Sequence, residues 1–92
     1  MIEKVFILTD YLKYRAELRG FDLGLIEHIV RYSPERYVDS ETYRCVVIGE
    51  HSTKLVMIPY EETETTITPI TIHATTRQQI KFRLTTGRLI YE

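Results

Sequence analysis

Apolar residues recur along the chain with two different periods, and the change falls near Pro34. Ahead of it, Val5, Phe6, Ile7 and Leu8 make a nearly continuous β-prone run, so residues 3–9 read as a first strand. The next two segments repeat at helical spacing. Thr9 or Asp10 supplies an N-cap for the first helix, and Gly20 is the left-handed residue that stops it. Asp22 caps a second helix, in which Leu23, Leu25, Ile26, Ile29, Val30 and Tyr32 share one side. Gly24, Glu27, His28 and Arg31 take the other side, and Ser33-Pro34 ends the helix because the residue before proline is pushed out of the helical region.

Beyond Pro34 the period becomes two. Arg36 to Asp39 is a short strand and Asp39-Ser40-Glu41 a turn. Thr42 to Glu50 is a long strand, and Gly49 to Thr53 reads as a hairpin loop that holds His51. Lys54 to Tyr60 is almost wholly apolar, which predicts a central strand. Thr65 to Ala74 follows as a strand split by Pro69. Thr75 and Gln78, or Thr76 and Gln79, have capping-box spacing, so a short third helix starts there and closes near Gly87. Arg88 to Tyr91 is an edge strand or a tail. The order predicts one α+β domain over residues 1–92: a strand, two helices, a three- to four-stranded antiparallel sheet and a short C-terminal helix, with the helices on one sheet face.

The first helix carries an anomaly. Tyr11, Tyr14 and Leu18 form one apolar edge, and Leu12 and Ala16 form the other. Arg15 and Arg19, one turn apart, fall between those edges, in the middle of the arc that ought to be buried. An unpaired arginine is costly to desolvate. Either carboxylates such as Glu3, Asp39 or Glu41 meet these arginines inside the fold, or the face lines a cleft that receives an anion.

Composition adds limits. The 92 residues suit one small core, and 43% hydrophobic with 27% charged residues is ordinary for a soluble globular protein. No apolar run reaches membrane-helix length, and Val5 to Leu8 is too short for a signal peptide, so no membrane association and a cytoplasmic location are expected. Cys45 is the only cysteine, so no internal disulfide forms. The net charge of −1 gives no overall basic bias. Its distribution is uneven: Glu61, Glu62 and Glu64 crowd one turn, while Arg77, Lys81, Arg83 and Arg88 load the last segment. The last segment reads as a local basic patch or, for Lys81 and Arg83, as a solvated helix face.

Candidate chemistry is sparse. Arg77 stands at the start of the third helix, where free N–H groups also favour anions, and can act as a phosphate clamp or pair with a strand carboxylate. His73 closes the strand before that helix, as a structural group or as a proton carrier. Tyr11 stands one turn from Arg15. The three histidines have no metal-ligand spacing with Cys45 or with an acidic cluster, so no metal is expected. No Gly-rich phosphate loop and no nucleophile elbow exist, and no cofactor is expected.

Arg15, Arg19 and Gly20 in the first helix, with Thr76-Arg77 and Gly87-Arg88-Leu89 near the C-terminus, resemble the small BrnT-type toxins of the RelE superfamily and an uncharacterised BrnT-related domain family. Those families carry a helix of pattern His-Ala-x-x-Arg-x-x-x-Arg-Gly and an arginine-bearing C-terminal segment. This chain departs from the pattern by holding Tyr11 and Leu12 at the first two positions. The resemblance implies a RelE-like fold and a ribonuclease toxin held by an antitoxin protein. It implies metal-independent cleavage, in which a 2′-hydroxyl attacks the adjacent phosphate. Arg15, Arg19 and Arg77 would then bind phosphate, and Tyr11 or His73 would move the proton. A non-catalytic RNA- or protein-binding member of the fold, or a structural interaction domain with internal ion pairs, is the alternative.

Overall fold

The computed structural model describes residues 3–92. Capping side chains set the helix boundaries. Thr9 accepts from the Leu12 N–H and starts helix α1, Asp10–Arg19, which Gly20 ends with a left-handed φ of 74°. Asp22 accepts from the Leu25 N–H and starts α2, Leu23–Tyr32. Thr76 accepts from the Gln79 N–H and starts α3, Arg77–Thr85. The strands are β1 Val5–Phe6, β2 Glu35–Asp39, β3 Cys45–His51, β4 Lys54–Glu62, β5 Thr66–Pro69, β6 His73–Ala74 and β7 Leu89–Tyr91.

The sheet is larger than the predicted three or four antiparallel strands. Seven strands run in the order β1-β5-β4-β3-β2-β7, with β6 added to β4. The sheet is mixed, because β1 lies parallel to β5 while the other pairs are antiparallel. The excess comes from short pieces. Pro69 breaks the Thr65 to Ala74 run as expected, but both halves then pair with β4, β5 at Tyr60 to Glu62 and β6 at Val56 and Met57. Between them Ile70 donates to the Pro59 carbonyl, and Ile72 turns into the core.

The helices do not share one face. On one side α1 and α2 bury Leu12, Ala16, Ile26, Ile29 and Val30 against Val47, Val56 and Ile58 of β3 and β4. On the other side Ile80 of α3 and Leu89 cover Tyr37, Val46, Ile48 and Met57. The cause is visible in β3 and β4, whose apolar residues occupy both parities of the strand. A strand apolar on both faces leaves hydrophobic surface in water unless both are covered.

Gly49 and His51 also differ from expectation. Neither lies in a loop, because β3 continues through His51 and the reversal is made by Ser52 and Thr53 alone. His51 is buried, and its Nε2 accepts the Asp22 N–H at 2.7 Å, tying the start of α2 to the hairpin. Gly49 is needed for close approach: a Cβ there would meet Ile29 Cγ2 at 2.5 Å.

Gly49→Ala therefore forces α2 away from β3 and is expected to destabilise the fold by about 1–3 kcal/mol in denaturant unfolding. Ile29→Ala, which removes the obstructing atoms, alone costs about 2–5 kcal/mol. The double variant is expected to lose clearly less than the sum of the two. Strict additivity would show that Gly49 and Ile29 do not constrain each other.

Candidate functional site

Helix α1 sits on the sheet through a narrow stripe. Leu12 and Ala16 are its buried residues, whereas Tyr11, Tyr14 and Leu18 are exposed. The buried direction is thus turned roughly a quarter turn from the arc the spacing suggested. Leu12 and Ala16 lie at its centre, and the supposed opposite edge faces solvent. Arg15 is consequently a border residue, half-buried, and Arg19 in the last turn is exposed.

From that border Arg15 reaches the segment between β5 and β6. Its Nε donates to the Ile72 carbonyl at 3.4 Å, and its Nη2 lies 3.1 Å from His73 Nδ1. A guanidinium has no acceptor, so the arginine must donate and Nδ1 must carry the lone pair. The neutral ring proton then resides on Nε2. Partial burial of the ring, followed by the positive charges of Arg15, Arg19 and Arg83, holds the His73 pKa below its ordinary 6.5. His73 stands opposite Met57 in the β6–β4 pair, and Met57 belongs to the core under α3. Directly opposed residues share a face. His73 therefore rises on the α3 side, and Arg15 reaches it from the α1 side around the sheet edge.

Eight arginines are present in the sequence. Arg31 pairs with Glu27 and Glu3, Arg44 with Glu61, Arg77 with Glu35, and Arg88 with Asp39 and Glu41. Arg36 is spent on the Val30 and Ser33 carbonyls at the end of α2 and on the Tyr60 hydroxyl. The remaining three are Arg15, Arg19 and Arg83. None has a carboxylate partner among the described residues, and all three act on His73. The carboxylates expected to receive the α1 arginines, Glu3, Asp39 and Glu41, pair with Arg31 and Arg88 instead.

Two sequence candidates stand apart from this cluster. Arg77 Nη1 lies 2.7 Å from both oxygens of Glu35, whose carboxylate also accepts the Tyr37 hydroxyl at 2.6 Å. Burial, and then Glu35, push the Tyr37 phenol up to about 12. The structure shows Arg77 paired with a strand carboxylate, Glu35. Tyr11 is 56% exposed and makes no hydrogen bond among the described residues. Arg83 is the member that sequence reasoning missed by reading it as part of a solvated face. Its signal was a spacing of three from Ile80, the buried residue of α3, which turns it toward the strands.

On the α3 side His73 and Arg83 line a cleft of 470 Å³ floored by Val46, Met57 and Pro59. A larger, more open hollow of 1070 Å³ lies along α3 beside Ser40 and Glu41, and His73 does not line it. No cluster of metal-ligating side chains occurs among the described residues. Cys45 is half-buried, and burial, then Glu92, raise its pKa, so it stays a thiol at neutral pH. No helix is long and apolar enough to cross a membrane among the described residues. Compared with protein-family models, curated proteins and solved structures, the chain finds no match in any of the three, so function is read from the site's own geometry.

Folding lowers the His73 pKa, so between its folded and unfolded values the unfolded chain holds more protons. Its contribution is complete above the unfolded value and is lost as pH falls through the folded one. In an NMR titration His73 is expected to titrate below 6.5, and Arg15→Ala is expected to move it upward. An unchanged titration in Arg15→Ala would show that the guanidinium does not act on the ring.

Proposed function

We propose that the protein binds RNA through its phosphates and cleaves it without a metal, as the ribonuclease toxins it resembles would. One observation carries this reading: of the three arginines without carboxylate partners among the described residues, Arg15 is hydrogen-bonded to His73 and Arg83 lines the same cleft as His73, and the charges of all three lower its pKa. A cationic cluster without counter-charge attracts an anion, and arginine matches phosphate oxygens in a bidentate fashion. In the reaction the 2′-oxygen attacks phosphorus, the P–O5′ bond breaks, and a 2′,3′-cyclic phosphate and a 5′-hydroxyl result. Arg15 and Arg19 offset the charge that builds on the phosphate oxygens. As Arg15 turns to the phosphate it uncovers Nδ1, which takes the 2′-hydroxyl proton as a base suited to neutral pH, while the departing 5′-oxygen takes its proton from water. Tyr11, without a hydrogen bond to the cluster among the described residues, has no step in this scheme. An antitoxin partner belongs to the same reading, and the exposed Tyr14 and Leu18 beside Arg15 and Arg19 are the surface it would cover.

A second reading, binding without cleavage, is favoured by one feature. His73 Nδ1 is occupied by Arg15, and no second acid–base side chain is hydrogen-bonded to the ring among the described residues.

The test is RNA binding by fluorescence anisotropy across a salt series, with cleavage followed by the cyclic-phosphate product. Arg15→Ala and Arg19→Ala are each expected to weaken binding and to reduce the log–log salt slope by roughly 0.7 for a single strand. Arg77→Ala is expected to leave binding intact and to cost only about 0–1 kcal/mol of stability, since the pair is exposed at 66% on the arginine side. His73→Asn is expected to keep binding while cleavage falls by about 10²–10⁴-fold, and Tyr11→Phe to change neither. Intact, salt-dependent binding with no cleavage by the wild type selects the second reading. Equal losses in Arg77→Ala and Arg15→Ala would place the site elsewhere.

A further inference from the structure

The 470 Å³ cleft beyond His73 shares His73 and Arg83 with the phosphate cluster, and the rest of its lining has no role in holding the phosphate. His73 is the junction. Its Nδ1 faces Arg15 at the sheet edge, and the same residue lines the cleft under α3. Arg83 also lines the cleft, and its charge contributes to lowering the His73 pKa. From this juxtaposition we infer that the cleft receives the nucleobase of a nucleoside phosphate whose phosphate group lies on Arg15, Arg19 and Arg83. This inference rests on the phosphate reading of the arginine cluster and adds what that cluster does not specify, namely recognition of the base.

Three features of the cleft suit a base. Its size lies within the range of small-ligand clefts. Its floor of Val46, Met57 and Pro59 is apolar, which favours a planar ring that has left water. Its walls retain polar groups that the fold does not consume. Thr71 lines the cleft, and its Oγ1 is buried without a partner among the described residues. Gln79 accepts from the Thr75 hydroxyl through Oε1, which leaves its amide N–H groups free to donate. The charged groups within the cleft are already neutralised where they would repel a base or an anion. Asp39 is held by Arg88 and by the Glu41 and Thr42 N–H groups, and Arg44 by Glu61.

A base in this cleft must be unpaired, because a Watson–Crick partner would occupy the edge that enters. The ligand is therefore a free nucleotide or a nucleotide of a single strand. Of the 70–75 segment only Ile72 turns wholly to the α1 and α2 core, while Ile70, Thr71, His73, Ala74 and Thr75 line the cleft.

The experiment compares four probes by NMR chemical-shift titration of the full chain: inorganic phosphate, ribose 5-phosphate, the four nucleoside 3′-monophosphates and a short single-stranded RNA. Phosphate and ribose 5-phosphate are expected to perturb Arg15, Arg19, Arg83 and His73 and to leave Thr71 and Gln79 unmoved. At least one nucleotide is expected to bind about tenfold more tightly than ribose 5-phosphate and to perturb Thr71 and Gln79 as well. Thr71→Val keeps the side chain's shape and removes an unpartnered hydroxyl, so its melting temperature is expected to hold while the nucleotide preference falls. Gln79→Ala, at an exposed position, is a second variant with the same expected outcome. Nucleotides binding no better than ribose 5-phosphate would overturn the base pocket and leave the phosphate cluster standing. If no probe binds, the phosphate reading falls and takes the pocket with it. Nucleotides that bind while the RNA strand does not would support the pocket and assign it to free nucleotides.

Discussion

The β3–β4 hairpin is buried on both faces, and most of the architecture follows from that constraint. Val47, Val56 and Ile58 require a cover on one side, and Val46, Ile48 and Met57 require one on the other. The first cover is dense: α2 lies so close to β3 that only glycine fits at position 49. The second is thin, because α3 has nine residues and buries Ile80 alone. A helix that short spans about 14 Å and cannot roof the whole face. What it leaves uncovered near β6 is the cleft lined by His73 and Arg83. The candidate site is in this sense a by-product of unequal covering, with polar residues of the 71–75 segment filling the gap that a longer helix would close.

Charge is distributed with similar economy. Most carboxylates near an arginine meet it at the surface, where each pair is worth little on its own. Collectively they decide which cations stay free. Arg88 takes both Asp39 and Glu41, Arg31 takes Glu3, and Arg36 satisfies the last carbonyls of α2. With those acids engaged elsewhere, no carboxylate pairs with Arg15, Arg19 or Arg83 among the described residues. Cations held near one another raise the free energy of the empty protein, and an anion placed between them recovers it. Local concentration of positive charge therefore coexists with a net charge of −1, and the whole-chain balance conceals it.

How much of this could be read from the sequence depends on the range of the interaction. Caps are local, and Thr9, Gly20, Asp22 and Thr76 all act where the spacing put them. The face of α1 is not local. Its apolar residues spread around most of the circumference, so the sheet, not the helix, selects Leu12 and Ala16 as the contact. Gly49 beside Glu50 resembled turn chemistry, but its cause is Ile29, twenty positions earlier in the chain. Arg77 and Arg83 occupy the same short helix, and only the sheet order reveals that one reaches Glu35 on β2 and the other lines a cleft with His73. The two-faced nature of β4 was legible as a near-continuous apolar run, whereas β3 read as a long strand without that inference. Its consequence, helices on both faces, followed from the same pattern and supplies what the one-face expectation lacked.

The Arg15–His73 contact gives the site a defined proton state. An arginine against Nδ1 makes the neutral ring the stable form and fixes its proton on Nε2. Moving that guanidinium onto an anion would change two things at once: the lone pair is released, and a negative charge replaces a positive one beside the ring. Both changes raise the ring's affinity for a proton. A protonated His73 is in turn a further cation for the anion to meet. Anion binding and protonation at this site are therefore linked and must favour each other equally, as any two binding events at coupled positions do. A structural ion pair has no such property, because its partner never leaves. The absence of a carboxylate at Arg15 is what makes the contact exchangeable, and exchange is what a binding site requires.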